Sequence, residues 1–268
     1  MKFNLGENAL RAGIIILNYN DSSTTTHLVD TIKGFMSLNK IIIVDNCSTD
    51  NSYSDLIKLR SDKIDVIMSD RNGGYAYGNN FGIKYGITNY GLDIVFIANP
   101  DIKFDEQVIE RIIEEFRQTD YAVLSARMIN ADNSPSNQGW NLPSYADDIL
   151  NSSALISKLI KPRKKQDLID YSKPIVDVEV LSGSFFAIRT DVMKAIDYFD
   201  EGTFLYCEER ILGKKLKDVG HKTGILTDIQ YIHIHGSSIK RSINALSMRK
   251  ILFKSRIYYQ ENYNQINS

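Results

Sequence analysis

Between residues 13 and 101 the chain alternates short, unbroken apolar runs with longer stretches of helical periodicity. Gly13-Ile14-Ile15-Ile16-Leu17-Asn18 meets no polar residue until its end, which predicts a strand covered on both faces of a parallel sheet. From Asp21 to Asn39 the apolar positions Leu28, Ile32, Phe35 and Met36 recur at the spacing of one helix face. Lys40 to Asp45 predicts a second buried strand. A helix near Tyr53 to Arg60, a strand near Ile64 to Ser69, a helix from about Ala76 and a strand from Ile94 to Ala98 continue the alternation. Strands separated by helices imply an α/β fold, a mostly parallel sheet flanked by helices on both faces. Ligands of such sheets bind beyond the carboxyl ends of the strands. Those ends read Asn18-Tyr19-Asn20, Asp45-Asn46-Cys47-Ser48, Asp70-Arg71-Asn72-Gly73-Gly74 and Asn99-Pro100-Asp101, a rim of short polar side chains.

The second half is less regular. Asp105 to Gln118 predicts a helix with Val108, Ile112 and Phe116 inward and acids in its first turn, where the helix dipole favours them. Asn130 to Tyr145 is rich in Asn, Ser, Pro and Gly, carries the single tryptophan, Trp140, and reads as a long loop over the site. Val176, Val178 and Val180 alternate with polar residues as a strand entering the turn Leu181-Ser182-Gly183-Ser184. Glu208 to Val219 is helical in pattern, Thr223 to Ile234 extended, and Lys240 to Tyr263 basic and aromatic. The economical division is a catalytic domain over 1–238 and a helical C-terminal appendage over 239–268.

A length of 268 residues with 43% hydrophobic content allows a substantial buried interior. With 32 basic and 33 acidic residues no whole-protein field draws the chain to nucleic acid. Cys47 and Cys207 lie far apart, without the spacing of a zinc site, which fits a reducing cytoplasm. The opening residues lack the apolar run of a signal peptide, and no stretch reaches the ~18 apolar residues of a membrane span. The expectation is a soluble or peripheral protein.

Several fragments suit nucleotide chemistry, each with a plainer reading beside it. Asp45 at a strand end is placed to accept hydrogen bonds from a ribose or base, while Ser48 and Asp50 serve equally well as helix caps. Asn72-Gly73-Gly74-Tyr75-Ala76-Tyr77-Gly78-Asn79-Asn80 gives close backbone approach and free N–H groups for an anion, or is merely a Gly-rich helix entry. Asn99-Pro100-Asp101 puts a carboxylate where a phosphate-bound Mg²⁺ or Mn²⁺ would sit, or is a turn into the next helix, with Asp105 as its cap. Glu208-Glu209 supplies a candidate general base, or two surface acids at a helix start. His233 and His235 share one face of an extended segment and could give a metal an imidazole.

Their order is more specific than any of them alone. Ile15–Asn20, Ile42–Ser52, Asn72–Gly82, Phe96–Asp101, Leu181–Arg189, Phe199–Leu216 and Ile232–Ser238 resemble, in sequence and spacing, the family 2 glycosyltransferases, and most of all their rhamnosyltransferase-like branch. The resemblance spans roughly residues 12–240. It implies a GT-A fold, a dTDP- or UDP-linked sugar donor, a divalent cation and an inverting single displacement onto a glycan or lipid-linked acceptor. Carried over, Asn18, Asn20, Asp45 and Asn72 would hold the nucleoside, with Gly74, Asn79 and Asn99 along the donor site. Asp101, with His233 or His235, would bind the metal. Trp140, Ser182 and Gly183 would line the sugar and acceptor pocket. Glu209 stands where the family places its catalytic Asp, beside Glu208, and the next acid of the motif is replaced by Ile211, which leaves the choice of base open. The alternatives are a nucleotidyltransferase, whose basic Gly-rich loop is missing from Leu17 to Ser23, and a noncatalytic nucleotide-sugar-binding protein, which would have no need of the acid pair.

The C-terminal segment sets Lys240, Arg241, Arg249, Lys250, Lys254 and Arg256 against Glu261, interleaved with Ile243, Leu246, Ile251, Leu252, Phe253 and Ile257. It predicts a basic amphipathic helix, which either packs on the domain or lies on an anionic leaflet, with Lys158 to Lys165 as a second basic run.

Overall fold

The computed structural model describes residues 10–136, 138–143, 172–234 and 245–264. Its first half is the predicted alternation: β1 (Ala12–Asn18), α1 (Ser22–Ile32), β2 (Lys40–Asp45), α2 (Ser52–Leu56) running into a 3₁₀ turn, β3 (Ile64–Met68), α3 (Gly74–Tyr90) and β4 (Ile94–Ala98). There follow β5 (Ile102–Lys103), α4 (Glu106–Gln118), β6 (Val123–Asn130), β7 (Gly139–Trp140), β8 (Ile175–Asp177), β9 (Val180–Leu181) and β10 (Phe185–Arg189). The chain continues with α5 (Thr190–Ala195), α6 (Glu208–Asp218), β11 (Thr223–His233) and α7 (Ala245–Tyr263).

The main sheet runs β3-β2-β1-β4-β10-β6-β11-β5, with β8 on β11. β3, β2, β1 and β4 are mutually parallel, β10 is antiparallel to both β4 and β6, and β11 returns parallel to β6. Both faces are covered, which is why β1 is apolar throughout. Ile14 and Ile16 pack toward α1 and α4, through Leu28, Val29, Ile109 and Ile112. Ile15 faces the other way, into the cluster of Ala76 and Ile83 of α3 and Leu212 and Leu216 of α6. Helix α3 lies close on the sheet because it presents glycine there: a Cβ on Gly82 would stand 2.6 Å from Ile15 Cγ2 and 2.7 Å from Val44 Cγ2.

Several sequence expectations are corrected. The first helix stops at Ile32, and residues to Asn39 are turns. The alternating valines do not make one strand: Val176 lies in β8 on β11, Val180 in β9 on β7, and Val178 between them. Asp105 makes no side-chain cap to α4. The stretch around Asn130 to Tyr145 is more than a loop: β6 ends in it, and buried Gln138 reaches back, accepting from Met128 N–H and donating to the Ala126 carbonyl. This tie, with β7, brings Trp140 opposite Val180, while the Gln138 carbonyl accepts Ser182 N–H at 2.7 Å. The run 158–165 lies outside the described residues, as do Lys240, Arg241 and Ile243.

Candidate active site

The rim is built first from buried hydrogen bonds. Asn18 donates from Nδ2 to Asp45 Oδ2 at 2.8 Å and accepts from Thr25 at 2.8 Å, while Asp45 Oδ1 accepts Ser48 N–H at 2.9 Å. Asn18 and Asp45 are fully buried, so in this structure both hold the loop rather than face outward. Half-buried Asn20 exchanges two bonds with Thr49, from its amide at 3.1 Å and to its carbonyl oxygen at 2.8 Å. Asp50 accepts Ser52 N–H at 2.9 Å in a turn just ahead of α2, whose N-cap, Asn51, makes no side-chain cap bond.

Asn46, which sequence reasoning passed over, joins this loop to the next. Its Nδ2 donates to Asn72 Oδ1 and to the Gly74 carbonyl, both at 3.1 Å, and its Oδ1 accepts from Ser69 at 3.1 Å. Gly74 has φ of +88°, and a Cβ there would lie 2.0 Å from the Phe204 carbonyl oxygen. The same carbonyl accepts Tyr75 N–H at 3.1 Å. The Gly-rich loop is therefore stitched to the segment that precedes Glu208.

That segment is strained. Asp197, Tyr198, Tyr206 and Cys207 all have positive φ between 54° and 74°, a region that non-glycine residues adopt only when their surroundings force it. Asn80 supplies much of the force: its Nδ2 donates to the Phe199 carbonyl at 2.9 Å and to Glu201 at 2.8 Å, and its Oδ1 accepts Phe199 N–H at 3.0 Å. Neighbouring Asn79 is buried and donates along α3 to the Tyr75 carbonyl at 3.0 Å, while its Oδ1 has no partner.

The strained segment delivers Glu208 and Glu209 to the first turn of α6. Glu209 accepts Gly183 N–H at 3.3 Å, and Tyr75 OH donates to the Gly183 carbonyl at 2.6 Å, so the Gly183 peptide is gripped from both sides. A Cβ at Gly183 would stand 3.0 Å from both oxygens, so a larger residue would push the two side chains a few tenths of an ångström apart. Glu208 is buried, with Oε1 unpartnered, whereas Glu209 is half-buried. Burial, reinforced by Glu209, pushes the Glu208 carboxyl up to about 8. Burial also raises Glu209, against which the Gly183 N–H favours its charged form.

From Gly183 the bonds lead on to the opposite pair. Ser184 accepts Asn99 N–H on its carbonyl at 2.8 Å, and its hydroxyl meets Tyr231 OH at 2.8 Å. Two residues after Tyr231, His233 sits opposite Ile102 in the β11–β5 ladder, and Ile234 N–H donates to the Asp101 carbonyl at 2.8 Å. This register sets His233 Nε2 3.3 Å from Asp101 Oδ1. The structure thus brings Asp101 and His233 together as expected; His235 lies outside the described residues. Among the described residues no cluster of three His, Cys, Asp or Glu forms a metal cage. One carboxylate and one imidazole fit a cation that takes its remaining ligands from phosphate oxygens and water.

The comparisons with known proteins bear on this constellation. A family model described as glycosyl transferase family 2 matches residues 13–196. The chain belongs to glycosyltransferase family 2. It is 31% identical over 197 residues to the low-salt glycan biosynthesis hexosyltransferase Agl10 of Haloferax volcanii, covering 73% of this chain and 58% of that protein's length. With rhamnosyltransferase WbbL of Escherichia coli it shares 24% identity over 208 residues, 73% of this chain and 76% of the relative. The structure resembles S. aureus TarS 1-349 in complex with UDP-GlcNAc, with TM-score 0.64, 15% identity and coverage of 96% of this chain and 68% of the other. It also resembles the mannosyltransferase PcManGT from Pyrobaculum calidifontis in complex with GDP-Man and Mn²⁺, at TM-score 0.62, 13% identity, 96% of this chain and 66% of the other. These likenesses show the fold, which is GT-A.

Proposed function

We propose that this family 2 glycosyltransferase moves a hexose from a nucleoside diphosphate sugar to a hydroxyl of a glycan or lipid-linked acceptor, with inversion. The observation that carries the reading is the single bonded path from Glu209 through Gly183, Ser184 and Tyr231 to His233 and Asp101. It supports a base at Glu209, at the start of α6, and a cation site at Asp101 and His233, the two things the displacement needs.

Asn20, Asn72 and the N–H groups opening α3 receive the nucleoside and diphosphate, in a loop shaped by Asp45, Asn18 and Asn46. Asp101 and His233 would hold a divalent cation, Mn²⁺ or Mg²⁺, whose charge would offset that developing on the leaving diphosphate. Trp140, opposite Val180 on β9, forms a wall of the sugar and acceptor pocket with Ser182 and Gly183. Glu209 takes the acceptor hydroxyl proton, because it is the more open of the two acids and lies against that pocket. Burial raises both carboxyls and Glu209 raises Glu208 further, so the two acids titrate as a coupled pair. The acid pair also favours this reading over a noncatalytic nucleotide-sugar-binding protein. The Gly-rich loop after β3, rather than one near the N-terminus, favours it over a nucleotidyltransferase.

The test is a thermal-shift screen of the purified chain against UDP-, dTDP- and GDP-sugars, with and without Mn²⁺. The expected outcome is stabilisation by one nucleotide class that grows with Mn²⁺. Equal indifference to every donor in both conditions would overturn the assignment.

A further inference from the structure

The C-terminal helix α7 uses two faces. Its inner face is aromatic and docks on the segment leading to the acid pair: Ser255 donates to the Leu205 carbonyl at 2.7 Å, Tyr258 to Asp200 at 2.9 Å, and Tyr259 is buried with Cys207 and Ile211. Leu246, Phe253 and Ile257, for which the sequence left packing and a lipid surface both open, point the other way, at 72%, 63% and 41% exposure. At the ~100° per residue of an α-helix, Leu246, Arg249, Lys250, Phe253, Lys254 and Ile257 fall on one arc of about 140°. Three of the large apolar side chains exposed among the described residues therefore share this stripe, and Arg249, Lys250 and Lys254 lie among them. Among the described residues, none of these cations is in an ion pair; Glu261 is the only acid of the helix.

We propose that the outward face of α7 docks the protein on the surface of an anionic bilayer. Buried, these apolar side chains would leave water, and the cations beside them would meet lipid phosphates. A second copy of the chain is a poor occupant, since pairing the same stripe would bring like charges together. No helix among the described residues is long and apolar enough to cross a membrane, so α7 would lie on the surface. The consequence for the site is direct. The inner face of the same helix touches Leu205 and Cys207, immediately before Glu208, so docking sets the acid pair beside the bilayer, where a lipid-linked acceptor presents its hydroxyl. This last step rests on the proposed transfer reaction; docking itself does not.

The test is cosedimentation of the full chain with vesicles of phosphatidylcholine, alone or mixed with phosphatidylglycerol, for the wild type, Phe253→Ser/Ile257→Ser and Lys250→Glu/Lys254→Glu. All four positions are exposed, so both variants should keep the wild-type melting temperature. The expected result is binding to the mixed vesicles only, weakened by salt and reduced about tenfold or more in each variant. Donor hydrolysis in the absence of vesicles should be unchanged, which separates this proposal from the donor assignment. Negligible binding of the wild type, or binding untouched by both variants, overturns it. So does a dimer in sedimentation velocity that Phe253→Ser/Ile257→Ser dissolves, which would make a second copy the occupant.

Discussion

Glu208 and Glu209 are neighbours in sequence, but their surroundings separate them. Glu209 has an N–H donor and an open side; Glu208 has an unpartnered oxygen and almost no exposure. Glu209→Gln keeps shape but cannot accept a proton, so turnover should fall by ~10²–10⁴ with donor affinity little changed. Steady-state kinetics of both glutamine variants checks this, and a larger loss at Glu208 would exchange the roles. Glu208 also makes a stability prediction. Its carboxyl titrates near its ordinary value of 4.5 when unfolded and at about 8 when folded, so the native state binds the proton more tightly. Stability from this group is therefore fully present below the unfolded value, declines as pH rises through that window and levels off above it. Relative to wild type, Glu208→Gln should gain stability between about pH 5 and about pH 8, as measured by chemical denaturation at each pH. A constant difference would contradict the buried, protonated state.

At the scale of elements, the site depends on loops that are held rather than loops that are free. The strained segment before α6 is tied to the Gly-rich loop through the Phe204 carbonyl and to α3 through Asn80. Gly74→Ala forces a Cβ into that carbonyl and a side chain onto a positive φ, so it should cost about 2 kcal/mol of stability. Urea unfolding measures it, and a neutral result would mean that the two loops are not locked together. β1, β2 and β4 and their polar ends were legible because strands buried on both faces leave unbroken apolar runs, while the edge strand β3 showed as the alternation of Ile64 and Val66 with Asp65. β6 was not, because Ser125 and Arg127 interrupt it: buried Ser125 donates to the Phe185 carbonyl at 2.7 Å, a partner no periodicity reveals. β10 was hidden in what looked like a turn and its sequel. Its last residue, Arg189, clamps the carbonyls of Tyr121 at 2.9 Å and Thr119 at 3.0 Å. The Asp101–His233 contact was readable as two residue types, but their meeting needs the β5–β11 register, which only the folded sheet supplies.

At the scale of the whole molecule, one sheet gathers at its strand ends the Asn72–Gly74 loop, the Asp101–His233 pair and the Glu208–Glu209 pair. Its C-terminal helix is fastened to the segment carrying the acids. Family membership fixes the kind of chemistry, while the proposed roles of Trp140 and Asn72 concern the sugar, its nucleoside and the acceptor. The central claim is metal-assisted transfer from a nucleoside diphosphate sugar. It is tested most directly by release of nucleoside diphosphate from the stabilising donor, measured with Mn²⁺ and with chelator, for the wild type and Asp101→Ala. The account predicts release that chelation abolishes in the wild type and that Asp101→Ala lacks in either condition, while the variant stays folded. Release by Asp101→Ala at the wild-type rate in Mn²⁺ would contradict it.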